Sequence, residues 1–372
     1  MKPERILILS TAIGYGGAER SLEILGPELA RRSRVLVMTG NVRHRRNLRL
    51  AAARTGSRLV VWPLPLREDR LSTALAAMVY VAARLLWRPQ VVIANTERAS
   101  IVLAWAARRL PWAGSKVWLY VRDFQARDLP RILGDLPLAR VLVPGPAVLD
   151  RPRYLASLVE PKTGRSVRVV PDMVSVIYDE EPSSTGGVLH LATVNLWKGH
   201  EYLIRAVARL HHSGRHPRVR SRGFDDSARL RRELEQQIAA AGIGGSDGFE
   251  LLPQVEDPAA ELRGCRCVVV TSVSSQGGPE TFGRSVIEAW SHGRPVVAFA
   301  AGGPLHLISH EVDGLLVPEG DETALAEALW RVQTEPGLAQ RLGAAGREKV
   351  RQNYLVGPVA DGMMKVLAEF GD

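Results

Sequence analysis

The sequence predicts an α/β fold made of two Rossmann-like, doubly wound domains, each a parallel sheet covered by helices on both faces. Three observations carry that expectation. Short apolar, β-branched runs alternate with helical runs along most of the chain, as buried parallel strands joined by crossover helices should. The alternation breaks over Asp179-Glu-Glu-Pro-Ser-Ser-Thr-Gly-Gly187, where periodicity gives way to Pro, Ser and Gly. A chain of 372 residues is too long for one ordinary core and fits two ordinary domains. The expected division is 1–178 and 188–355, followed by a last helix within 356–372.

The elements follow in order. Arg5 to Ser10 reads as a strand, Gly14 to Gly17 as a loop, Ala18 to Ala30 as a helix and Arg34 to Thr39 as a second strand, together a βαβ unit. Further strands are expected at Leu59–Trp62, Gln90–Ala94, Lys116–Val121, Ala139–Val143 and Val167–Val170. After the break, a strand over Val188–Thr193 leads to helices at Tyr202–His211 and Ser227–Ala241, and the alternation closes with a helix at Asp321–Val332. The apolar run Leu71–Trp87 is about 17 residues long and contains Arg84, so a buried helix is expected there rather than a membrane span.

The chemistry concentrates between the strands Arg266–Ser272 and Pro295–Phe299. The loop and helix between them carry Glu280 and Glu288 on either side of Thr281, Phe282 and Gly283. In a βαβ unit, the loop at the strand's carboxyl end holds ligands, and the helix N-terminus offers N–H donors and partial positive charge to an anion such as a diphosphate. Carboxylates there would repel phosphate, so their expected task is to accept hydrogen bonds from sugar hydroxyls. A sugar nucleotide has both features.

This stretch resembles the Glu-x7-Glu motif of the family 4 retaining glycosyltransferases, whose GT-B fold sets two Rossmann-like domains facing across a cleft. The resemblance extends to Pro171-Asp-Met-Val, to Gly314-Leu-Leu-Val-Pro318 and to the loop Gly14-x-Gly16-Gly17-Ala-Glu19. It implies that Glu280 lies by the donor sugar, that Glu288 holds the ribose hydroxyls, and that the backbone of Thr281, Phe282 and Gly283 runs along sugar and phosphates. Lys198, in Asn195-Leu-Trp-Lys-Gly, matches the lysine that contacts the diphosphate, which makes it catalytic beside Glu280. Thr193 and Asn195 would border the donor. Gly16, Gly17 and Glu19 would face the cleft from the first, acceptor-side domain, and the second domain would hold the donor. The last helix often crosses back to the first domain in that fold, and Val359–Phe370 would do so here.

Three positions depart from the family pattern. Thr193 stands where a second phosphate contact, an arginine, is usual, which leaves room for Arg284 or another arginine to substitute. A histidine near the donor sugar is missing, since the first half contains only His44 and the strand Lys116–Val121 runs into Arg122 and Asp123. His306 replaces a usual glutamate. The expected activity is retaining transfer of a sugar from a nucleoside-diphosphate sugar to a hydroxyl acceptor, with no cofactor and no metal. A GT-B phosphorylase, a sugar-nucleotide epimerase or a catalytically silent sugar-nucleotide-binding protein are the alternatives.

Composition bounds partners and compartment. The net charge is +10, with six lysines against 43 arginines. That charge suits anionic substrates or lipid headgroups; nucleic acid is disfavoured, because no binding module is visible and the basic clusters are not interleaved with aromatics. The stretch Arg43–Arg49 reads as a solvated helix face, with contact to anionic membrane lipid or a phosphorylated acceptor as its functional alternative. Cys265 and Cys267, alternate residues of one strand, form neither a good disulfide nor a zinc site. The N-terminus lacks the features of a signal peptide. These features lead to the expectation of a cytoplasmic enzyme, peripheral to the inner membrane face if it meets lipid. His211, His212 and His216 read as surface residues.

Overall fold

The computed structural model describes residues 2–369 apart from 12–14, 66–68, 125–127, 151–165, 184, 224–226, 256 and 276. Gly14 of the expected turn, Ser184 of the expected linker and Phe370 of the expected last helix lie outside the described residues. The chain divides into two units, Met1–Ser175 with Leu355–Asp372, and Val176–Tyr354.

The first unit contains β1 (Arg5–Leu9), α1 (Gly17–Ala30), β2 (Arg34–Thr39), α2 (Val42–Thr55), β3 (Val60–Pro63), α3 (Arg70–Trp87), β4 (Val91–Ala94), α4 (Glu97–Ala107), β5 (Val117–Tyr120), α5 (Leu129–Asp135), β6 (Arg140–Val143) and β7 (Val167–Val169). The sheet order is β3-β2-β1-β4-β5-β6-β7 and every pairing is parallel, with Ile6 opposite both Val35 and Val91. Alternate residues of β1 feed two cores. Ile6 and Ile8 pack with α1 and Leu48 of α2, while Leu7 and Leu9 pack with α3 and α4. Side chains start the helices: Asn41 accepts from His44 N (3.0 Å), Asp69 from Ser72 N (2.6 Å) and Thr96 from Ala99 N (3.2 Å). The arginine-rich stretch forms α2, with His44, Leu48 and Ala52 buried and Arg43, Arg46, Arg49 and Arg54 exposed.

The expectation of a buried helix at Leu71–Trp87 is corrected. Five of the eighteen residues of α3 are buried: Ser72, Ala76, Ala77, Tyr80 and Ala83. The helix covers the sheet with one face, and Leu71, Leu75, Met78, Leu85 and Leu86 on its other sides are exposed.

The second unit contains β8 (Val188–Leu191), α6 (His200–His212), β9 (Val219–Gly223), α7 (Ala228–Ala240), β10 (Phe249–Pro253), α8 (Ala259–Gly264), β11 (Cys267–Val270), α9 (Arg284–Ser291), β12 (Val296–Phe299), α10 (Gly302–Leu307), β13 (Gly314–Val317), α11 (Glu322–Thr334) and α12 (Leu338–Asn353). Its sheet order is β10-β9-β8-β11-β12-β13, again parallel throughout. The unit begins at Val176 rather than Val188, because the polar segment is held down. Tyr178 N donates to Ser291 O (2.8 Å), Arg347 donates to Glu180 O (3.0 Å), and Arg294 donates to the Glu180 carboxylate (3.3 Å).

Residues 355–372 belong to the first unit. There α13 (Val356–Ala368) places Val359, Ala360, Met363, Met364 and Leu367 in the core shared with α1, and Arg32 pairs with Asp361 at 2.8 Å.

Helix α12 and strands β9 and β10 had no counterpart in the sequence reading. In α12, two glycines mark close packing: a Cβ at Gly343 would meet Gly293 O at 1.9 Å, and one at Gly346 would meet the Trp290 ring at 2.2 Å. The Trp290 ring is buried and its Nε1 donates to Asp313 O (2.9 Å), so it cannot yield easily. Gly346→Ala is therefore expected to lower stability by about 1–3 kcal/mol, the range for overpacking. Denaturant unfolding that shows no loss would place the ring elsewhere.

Candidate active site

In an open parallel sheet, ligands bind beyond the carboxyl ends of the strands where the chain order reverses. In the second unit that point lies between β8 and β11. The connection after β8 carries Thr193, Asn195 and Lys198, and the connection after β11 carries Ser272 and Glu280. Three contacts join these segments. Val273 N donates to Trp197 O (2.8 Å), Thr271 Oγ1 donates to Lys198 O (2.9 Å), and the Lys198 ammonium pairs with Glu280 Oε1.

Lys198 and Glu280 are 82 positions apart and their side chains are mostly buried. Glu280 Oε1 also accepts from Ser272 Oγ at 2.9 Å, and Lys198 lies over the Trp197 ring at 4.0 Å. The backbone of Glu280 is fixed as well, its carbonyl accepting from Gly303 N at 2.7 Å. A Cβ on Gly303 would meet Phe282 O at 1.9 Å, which explains the glycine. Phe282 is buried, edge-on to Tyr354 at 5.8 Å between ring centres. Thr281 is half-buried beside it.

Gly283 caps α9 with φ 102, a conformation suited to glycine, and Arg284 is the first helical residue. Glu288, just over one turn further on, pairs with Arg284 at 2.8 Å, and both side chains are mostly buried. Each site carboxylate thus has its own cation. Asn195 precedes the turn Leu196–Lys198, with its N–H on Thr193 O at 2.9 Å. Thr193 is half-buried at the start of the connection after β8. His306 is exposed on α10.

The sequence reading missed two of these roles. Ser272 was read as the end of a strand, yet its hydroxyl fixes Glu280. Arg284 was a candidate phosphate contact, yet it also holds Glu288; the i,i+4 spacing was the available signal. The loop over the site has a further anchor in Glu319, which accepts from Ser274 N at 2.6 Å and Ser274 Oγ at 2.7 Å.

In the first unit the equivalent point lies between β1 and β4. Gly16 and Gly17 open α1 there and are exposed. Glu19 is buried and turned back onto its own helix, its Oε2 accepting from Gly16 N at 2.9 Å. Arg122, read from sequence as a site candidate, sits in a structural network. It donates to Asp172 Oδ1 at 2.6 Å, Asp172 also accepts from Ser21 Oγ at 2.6 Å, and the guanidinium stacks on Tyr120 at 3.8 Å. Burial disfavours the charge on Arg122, but Asp172 and Tyr120 outweigh it and hold the pKa above its ordinary value. Asp123 is exposed. His44 is buried in α2 with Nδ1 2.8 Å from Glu23, a structural position.

Residues 186–335 match the family described as glycosyl transferases group 1. The matched stretch lies within the second unit. A lipopolysaccharide core biosynthesis glycosyltransferase of Rhizobium meliloti is 37% identical over 82 residues, 22% of this chain and 24% of that one. A D-inositol 3-phosphate glycosyltransferase of Streptomyces griseus is 36% identical over 156 residues, 40% and 32% of the two chains. The matches thus span a third or less of these relatives' length. The fold is similar over nearly the whole chain to that of Anabaena Alr3699/HepE, solved with UDP-glucose, with TM-score 0.79, 21% identity, and 98% and 99% of the chains covered. Sucrose-phosphate synthase from Thermosynechococcus elongatus gives TM-score 0.76 at 20% identity, with 98% of each chain covered. The fold is GT-B.

Beneath the Lys198 turn lies His190, fully buried on β8. Its Nδ1 is 3.0 Å from Ser221 Oγ and its Nε2 3.4 Å from Thr271 Oγ1. Since the Thr271 hydroxyl donates to Lys198 O, the neutral Nε2–H tautomer satisfies the ring. Burial first, then the nearby His200 and Lys198, push its pKa well below 6.5. The unfolded chain then binds the proton more readily, so this contribution to stability is present above about pH 6.5 and is lost as pH falls toward the folded pKa. Denaturant unfolding between pH 7.5 and 5 is expected to show that loss, and a folded His190→Asn variant to lose part of the slope. The remaining slope includes His292 and His211, whose pKa values burial also lowers. Parallel curves for the two proteins would remove His190 from this account.

Proposed function

We propose that the chain is a retaining glycosyltransferase of the family 4 type, moving a sugar from a nucleoside-diphosphate sugar to a hydroxyl acceptor. The observation that carries this is the convergence of Lys198 and Glu280 at the sheet's point of reversal, with Glu288 on the helix that starts there. Glu288 accepts from the ribose hydroxyls and Glu280 from the sugar. Lys198 neutralises the diphosphate as the glycosidic bond breaks, and Arg284 supplies the second positive charge that Thr193 cannot. Electrostatic stabilisers of this kind are among the largest contributions to catalysis. The departing phosphate takes the acceptor proton on the donor's front face, so no protein base is required. The two cysteines are free and buried, which suits a reducing cytoplasm.

Two substitutions separate the carboxylates. Glu288→Ala is expected to weaken nucleoside diphosphate binding by about 1.5–3 kcal/mol, the range for a hydrogen bond to a charged group. Glu280→Gln is expected to bind the diphosphate as wild type does while kcat and kcat/KM fall together by about tenfold or more, or about 1.4 kcal/mol. Calorimetry and steady-state kinetics on the same preparations, beginning with UDP-glucose, provide the test. Loss of affinity with unchanged kcat in Glu280→Gln would reverse the two assignments, and donor binding without transfer or hydrolysis would indicate a silent binding protein.

The positive charge assigned to the phosphates comes from Lys198, Arg284 and the N-terminus of α9, so we expect activity to persist in excess EDTA. Complete loss, restored by Mg²⁺ or Mn²⁺, would replace this mechanism with a metal-assisted one.

A further inference from the structure

Helix α3 is apolar on two opposite faces. The inner face packs on the sheet and is tied down by hydrogen bonds from Tyr80 to Ala113 O (2.6 Å) and from Arg84 to Ser115 O (2.8 Å). The outer face carries Leu71, Leu75, Met78, Ala82 and Leu85 at intervals of four, three, four and three residues, which align on one side of a helix. All five are exposed, Leu71 to 71%, and the neighbouring Leu86 to 76%. A helix apolar all round is ordinarily covered all round, and a continuous exposed apolar face marks an interaction surface. Among the described residues, α3 is the one helix long and apolar enough to cross a membrane. As the crossover between β3 and β4, with its inner face in the core, it lies along a surface instead of passing through a bilayer.

The surroundings say what that surface is. Between Arg70 and Lys116 the chain has six arginines and a lysine against one acid, Glu97. Arg70, Arg88, Arg108, Arg109 and Lys116 are exposed. A cavity of about 520 Å³ between α3, α4 and α5 lies beside this edge, nearly charge-balanced, with four arginines and three aspartates in its walls and Arg108 paired with Asp135. Trp112, 42% exposed, follows α4, and Trp105 lies under the Arg109 guanidinium at 3.6 Å. Apolar side chains edged by arginine and tryptophan suit the headgroup boundary of a bilayer, where anionic lipid attracts the cations and the rings sit half in water. A second copy docked through the same face would bring two such positive edges together.

We propose that the outer face of α3 docks on an anionic lipid bilayer, with Leu71, Leu75, Met78 and Leu85 entering the headgroup boundary and the flanking arginines meeting lipid phosphate. The apolar contact thus lies on α3, beyond the arginine stretch of α2 that the sequence alone suggested.

The test uses the full chain and sedimentation with vesicles, either pure phosphatidylcholine or phosphatidylcholine with about one-third phosphatidylglycerol. Partitioning is expected to favour the anionic vesicles by about tenfold or more and to weaken with salt, because exposed charges are screened within a Debye length. Leu75→Glu with Met78→Glu, both at exposed positions, should lower anionic-vesicle partitioning by about tenfold or more. Arg88→Gln with Arg109→Gln should lower it mainly at low salt, and Val312→Glu, on the second unit, should leave it unchanged. Equal partitioning to neutral vesicles, or equal loss in Val312→Glu, would overturn the proposal. So would lipid-free self-association, seen by sedimentation velocity, that the α3 double substitution abolishes. Donor binding by calorimetry is read on the same proteins, so failure at the membrane is distinguishable from failure of the transferase reading.

Discussion

The second unit's site depends on how closely the turn after β8 approaches the end of β11. Gly199 ends the Lys198 turn at φ 67, and a Cβ there would meet Thr271 O at 2.0 Å. No other residue fits that conformation and that distance together. The close approach lets Thr271 hold Lys198 O and Trp197 O hold Val273 N, which fixes the backbone on both sides of the lysine. With the backbone placed, the ammonium has Glu280 beside it rather than solvent, and Ser272 keeps that carboxylate in register. His190 supports the same turn from inside the sheet, so the core and the site share one set of hydrogen bonds.

What the sequence reveals follows the range of each interaction. Strand and helix periodicity is local, and β1, β2, β4, β11 and β12 are short runs dominated by Val, Ile, Leu and Ala that declare themselves. Strand β9, Val-Arg-Ser-Arg-Gly, does not: its arginines belong to ion pairs between Arg220, Arg222 and Glu261 that only the fold creates. Helix α12 hides for a similar reason, since Gly343 and Gly346 weaken its helical signal and make sense only against Gly293 and Trp290. The end of the linker was misplaced because its Pro, Ser and Gly content is visible while the arginines that pin Glu180 lie more than a hundred residues away. The candidate carboxylates were legible through a motif, but the Lys198 contact needs β8 beside β11, a statement about strand order that no local pattern contains.

Pairing each carboxylate with a cation has an energetic consequence. A partly buried ion pair gains little net stability, because Coulomb attraction is largely offset by lost hydration. In the proposed reading, exchanging Glu280 for a phosphate oxygen as the partner of Lys198 therefore starts from a nearly balanced state. On the same reading, the carboxylates hold the Lys198 and Arg284 side chains in place until a more highly charged anion competes.

The first unit uses its polar groups at the corresponding edge differently. Arg122 is enclosed by Asp172, Ser21 and Tyr120, and Glu19 caps the helix it begins, so these charges hold β5, α1 and the segment after β7 in place. Removing one member would leave a buried charge without its counterion, a large cost in stability that has nothing to do with a ligand. In the second unit, by contrast, Lys198–Glu280 is only one of three contacts between the segments after β8 and β11, the other two fixing the backbone without it, and Arg284–Glu288 lies within one helix. Side chains relieved of holding the fold can change partners when a ligand arrives. That difference is the physical reason for assigning the charge chemistry to β8, β11 and α9.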